Sequence, residues 1–124
     1  MTEEHERTGN CFESAANFVV DQCMFDRQDC IYILVHGEVQ GQGHLKGVTF
    51  GHAWVEFQGP GGSRVHDPEQ GMWDMPRDLY YALAGIDHRP AHQNVYRYTA
   101  METFAQMRDN EHYGPWDLVT ATGL

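Results

Sequence analysis

Cys11, His52 and Asp67 stand in that order along the chain. Together these residue types can carry acyl transfer. A thiolate attacks a carbonyl, an imidazole takes and later returns the proton, and a carboxylate holds the imidazole in its working tautomer. Cys11 follows Asn10 at the head of a helical pattern, so the spacing predicts a cysteine in the first turn of a helix. There, unpaired backbone N–H groups and the positive end of the helix dipole favour thiolate over thiol. His52 and Asp67 flank the turn signal Gly59-Pro60-Gly61-Gly62-Ser63. Residues equidistant from a hairpin turn face each other, and counting inward pairs His52 with Asp67 about a centre between Gly59 and Pro60. Such neighbours have Cβ atoms about 5 Å apart, within reach of a carboxylate–imidazole hydrogen bond.

The elements that must position these residues follow from local pattern. Residues 1–9 are acidic and polar and are expected to fray. Asn10 and Glu13 have the form of a capping box, and Phe12, Ala15, Ala16, Val19 and Cys23 recur at helical spacing, predicting a helix over about 11–23. Residues 30–35, CIYILV, suit a buried strand. The stretch from Gly37 to Gly47 carries four glycines and is predicted to be a mobile loop, a lid or one rim of the site. Residues 49–67 form the hairpin. Pro76 opens a second helix whose stripe is Leu79, Tyr80, Leu83 and Ala84, and Gly85 stops it. Residues 94–98 form a further strand. Thr99 and Glu102 make a capping box for a third helix reaching about Arg108, with Met101, Phe104 and Ala105 as its apolar positions. The aromatic tail at 112–118 is expected to dock on the body. The sum is an α+β fold: an N-terminal helix on a small, mostly antiparallel sheet with flanking helices, one domain over residues 10–124.

The order and context of these residues resemble the core of transglutaminase-like proteins, within the wider papain-like group. Three segments carry the resemblance: Gly9-Asn10-Cys11-Phe12, His52-Ala53-Trp54-Val55-Glu56, and Val65-His66-Asp67-Pro68. It covers roughly residues 9–68. The resemblance implies Cys11 as nucleophile, His52 as general base then acid, and Asp67 as the orienting residue. It also implies an amide, thioester or similar acyl substrate, with peptidase, amidase, deamidase and transglutaminase sharing the first half of the reaction. Papain-like proteases place an oxyanion-hole glutamine several residues before the cysteine, and the positions before Cys11 hold none. The hole would fall to the Cys11 N–H, to Asn10, or to Gln40 or Gln42. The short span from Cys11 to His52 leaves no room for inserted domains and predicts a shallow groove.

Bulk properties narrow the partners. The 124 residues carry 18 acidic against 8 basic side chains, a formal net charge of −10, which repels nucleic acid and anionic lipid and suits a neutral or cationic protein, peptide or small amide substrate. No apolar tract is long enough to span a membrane, and residues 1–10 have no signal-peptide form, so the cytosol is the expected compartment. Cys11, Cys23 and Cys30 show no close pairing and are expected to be reduced, with Cys23 and Cys30 in the core. No cofactor or metal is expected. Asp87, His88 and His92 are the best metal case, but Pro90 breaks the helical turn a two-histidine pair uses. His66 should face away from His52, as a structural or exposed residue. Trp54 should shield the site, and Trp116 could line a groove or close the core. The alternative to an enzyme is a papain-like module that binds or inhibits a partner.

Overall fold

The computed structural model describes residues 3–25, 31–40, 48–86 and 94–118. The described residues make an α+β fold of three helices and a five-stranded antiparallel sheet. Helix α1 is Glu3–Phe25, β1 Ile33–Gln40, β2 Thr49–Gly59, β3 Gly62–Asp67, β4 Met72–Pro76, α2 Arg77–Ala84, β5 Val95–Tyr98 and α3 Ala100–Asn110. The sheet order is β4-β3-β2-β1-β5.

Alternation along the strands sorts side chains onto two faces. On one face Phe12, Ala15, Ala16 and Val19 of α1 bury against Leu34, Ala53, Val55 and Tyr98. On the other, Val35, Val39, Trp54 and Val65 pack under Tyr80 and Tyr81 of α2 and Ile86. The helical stripe of α1 therefore lies where its spacing placed it. The start of α1 does not. The helix begins at Glu3, running through the residues expected to fray, so Asn10 is interior and is no cap. Residues 3–7 are Glu, Glu, His, Glu and Arg, mostly good helix formers, and Gly9 costs only about 1 kcal/mol within a helix of 23 residues.

Strand β1 also differs from expectation, continuing to Gln40 through the glycine of the presumed loop. Gly37 serves packing. A Cβ there would lie 2.7 Å from Trp54 Cη2, so only glycine lets the indole lie flat across β1. Gly37→Ala should cost about 1–3 kcal/mol through overpacking, read as a lower urea midpoint. Gln42 and the rest of 41–47 lie outside the described residues, as do Cys30, Asp87, His88 and His92.

Strand β4 is a short edge strand that the Gly- and Pro-bounded sequence conceals. Helix α2 has Pro76 at its N-cap and Gly85 in the left-handed region at its C-cap, as expected. Its buried residues are Tyr80 and Tyr81, while Leu79 and Leu83 are exposed. Helix α3 keeps the complete Thr99–Glu102 capping box, yet Met101 and Phe104 face solvent and Thr103 faces the core. Both corrections have one cause: with a short helix, the choice of buried face is set by which side meets the sheet. The tail docks as expected. Trp116 packs against His36 and Tyr98, Tyr98 Oη donates to Asp117 Oδ2 at 2.6 Å, and Leu118 is buried.

Candidate active site

The β2–β3 hairpin turns at Pro60 and Gly61, and its ladder pairs Val55 with His66, Glu56 with Val65 and Gly59 with Gly62. This centre is shifted from the one counted on the sequence. Extended by its own register, the ladder puts Asp67 beside Trp54, so His52 and Asp67 are diagonal neighbours on one face. The contact still forms: His52 Nε2–H donates to Asp67 Oδ2 at 2.8 Å. The longer imidazole spans the diagonal. The ladder stops at Val55, and the Cys11 side chain lies near enough to the His52 ring to raise it. With Nε2 committed to Asp67, Nδ1 is the ring nitrogen left for a second partner.

Asp67 is wholly buried and fully bonded. Its Oδ2 also accepts from Tyr80 Oη at 2.7 Å, and its Oδ1 accepts from the Gln70 backbone N–H at 3.3 Å. Burial alone would raise this carboxyl, but the bonds from His52, Tyr80 and Gln70 hold it below its ordinary value. Burial also works to lower His52, and Asp67 and Cys11 outweigh it, raising the imidazole to about 10. At neutral pH the ring is an imidazolium between a carboxylate and a sulfur. Such a ring can stabilise a thiolate and supply a proton to a leaving group.

Trp54 is buried behind this ring, its centroid 6.1 Å from that of His52 with the planes at 26°. Its indole N–H donates to Glu56 Oε2 at 3.0 Å. Glu56 is buried too, accepting from Tyr81 Oη and, on Oε1, from Arg97 Nε at 3.2 Å. One carboxylate thus ties β2 to α2 and β5 and fixes the ring that backs His52. Trp54 is 0% exposed and backs the His52 ring. Trp116 belongs to the opposite sheet face, beside His36.

The oxyanion candidates part company. Cys11 lies well inside α1, where its backbone N–H is engaged in the helix, and Asn10 is interior as well. The dipole argument for the Cys11 thiolate lapses for the same reason, leaving His52 to stabilise the sulfur. Gln40, from the end of β1, shares a pocket of about 530 Å³ with His52, Asp67, Gln70 and Tyr80. Tyr80 and Gln70 were not foreseen. Tyr80 is brought in by the packing of α2, whereas Gln70, three residues after Asp67, bonds to it locally through the turn after β3.

His66 faces the α1 side, as expected, stacked on Trp73 at 4.4 Å with its Nδ1 donating to the Met72 carbonyl at 3.1 Å. Cys23 corrects the reading of reduced thiols: it is disulfide-bonded, while Cys11 is free. Pairing depends on proximity in space, which sequence spacing does not reveal. Disulfides are rare in reducing compartments, so the thiols no longer argue for the cytosol. Among the described residues no helix is long and apolar enough to cross a membrane.

Three buried histidines give stability a pH optimum. His36, enclosed among Phe12, Tyr98 and Trp116, is lowered by burial to about 4, with Asp117 pulling weakly the other way, and burial lowers His66 as well. Between about pH 4 and 6.5 the unfolded chain therefore binds more protons at His36, with His66 acting in the same direction, and stability rises with pH. His52 has the opposite sign: its contribution is complete below 6.5 and is lost as pH climbs toward 10. Urea midpoints should peak near pH 6.5, and His52→Gln should flatten the alkaline side alone. A midpoint unaffected by pH from 7 to 10 in the parent chain would contradict the assignment.

Compared with known proteins, the chain matches no family model, no curated protein sequence and no solved structure.

Proposed function

We propose that the protein is a cysteine-nucleophile enzyme of papain-like, transglutaminase-like design that acts on an amide, thioester or similar acyl bond. The observation that carries the reading is His52, which holds Asp67 through Nε2 at 2.8 Å and is raised by both Asp67 and the neighbouring Cys11 side chain. Cys11 on a helix, then His52 and Asp67 on adjacent antiparallel strands, is the order of that group. In the reaction the Cys11 thiolate adds to the carbonyl carbon, forming a C–S bond. The bond to the leaving group breaks as His52 transfers its proton to that group. Water or an amine then gives its proton to His52, attacks the acyl-enzyme and releases the thiolate. Asp67 keeps the imidazole in register throughout, Tyr80 holds Asp67, and Gln40 is the donor best placed to steady the oxyanion.

The test is alkylation. Iodoacetamide at about pH 6.5 should label one site much faster than it labels a free thiol, and Cys11→Ser should remove that label. Uniformly slow labelling would favour a second reading, a binding module. One observation speaks for that alternative: Cys11 is 6% exposed and does not line the pocket beside His52.

A further inference from the structure

We infer that the pocket beside His52 receives an uncharged aliphatic group attached next to the scissile bond, which makes the substrate a hydrophobic amide or thioester. This rests on the acyl-transfer reading above and names the substrate class for it.

The pocket is walled by Val39 and Phe50 from the sheet, Met72 and Met75 from β4, and Leu83 and Ala84 from α2. Among the described residues no lysine or arginine lines it. Among its described lining residues the ionised groups are His52 and Asp67, which are occupied with each other, and Asp67 is further bonded to Tyr80 and Gln70. A charged substituent entering here would be desolvated without a partner. A branched or aromatic group is not demanded either, since two of the six apolar walls are methionines, which adapt to a flexible chain. The volume of about 530 Å³ lies within the range of small-molecule sites and exceeds what an acetyl group needs. The mouth agrees with the interior: Leu83 is 57% exposed there. The net charge of −10 adds a general field against anionic substrates.

Two series of neutral thioesters test this, with acylation of Cys11 followed by intact mass. In one, the acyl group of an N-acetylcysteamine thioester grows from acetyl to octanoyl. In the other, acetyl is constant and the leaving thiol grows from ethyl to octyl. Each methylene that enters an apolar pocket favours binding by at most about four-fold, so one series should accelerate by at least about ten-fold from its shortest to its longest member. The series that accelerates tells whether the pocket holds the acyl side or the leaving side. Chains ending in a carboxylate should lose the gain, and Leu83→Glu, which puts a carboxylate at the mouth, should flatten the gradient. Equal rates along both series, with Cys11 acylated throughout, would overturn the inference. No acylation in any arm, together with slow iodoacetamide labelling, would overturn the acyl-transfer reading instead. The pocket would then be judged by binding alone: methyl resonances of Met72 and Met75 should respond to octanamide at lower concentration than to acetamide, and no response to either would reject it.

Discussion

Asp67→Ala should lower stability by about 3–5 kcal/mol, because it leaves a buried imidazolium, a buried phenol and a backbone N–H without their shared acceptor. The side chain is 0% exposed and serves all three donors at once. In thermal unfolding the loss should appear as a midpoint lower by roughly 10 °C or more. Asp67→Asn separates charge from shape. Its amide oxygen can still accept from His52 and Tyr80, while its NH2 would turn toward Gln70, which is exposed and can bond to water. Most of the stability should return in this variant. Alkylation of Cys11 near pH 6.5 should stay depressed, since a neutral amide no longer favours the imidazolium beside the sulfur. If Asp67→Ala unfolded at the parent's midpoint, the hydrogen-bonded cluster would have no structural weight.

His52→Ala should have the largest effect on chemistry. Without a dipole contribution at a helix end, this ring is the cation beside Cys11 among the described residues. An ordinary thiol is only about 1% ionised near pH 6.5. Alkylation there should fall by at least about ten-fold, partly masked because a thiolate paired with a cation is a weaker nucleophile than a bare one. Turnover on any acyl substrate should fall further, by about 10² to 10⁴, since the ring also protonates the leaving group. The fold should persist, because Asp67 retains Tyr80 and Gln70. An alkylation rate equal to the parent's would show that the ring and the sulfur do not act as a pair.

Much of this architecture was legible in the residues themselves. The stripe Phe12, Ala15, Ala16, Val19 and Cys23, the Gly59–Ser63 turn, the Thr99–Glu102 capping box and the Gly85 stop depend on steric and hydrogen-bonding rules that act within a few residues. The three side chains of the candidate site were likewise visible, as types in an order and on elements that chemistry can use.

What tertiary structure alone decided is everything that depends on who meets whom across the chain. The beginning of α1 moved Cys11 from a helix end to a helix interior, and the hairpin register moved Asp67 to a diagonal of His52. Tyr80 on α2 became the second donor to Asp67, and Glu56 gathered Trp54, Tyr81 and Arg97. Leu83, Met101 and Phe104 lost the buried places their spacing suggested, because a short helix buries whichever side the sheet presents to it. Local rules determine what each segment can be. Packing, which minimises exposed apolar area and unpaired polar groups over the whole molecule at once, determines which of those options is taken.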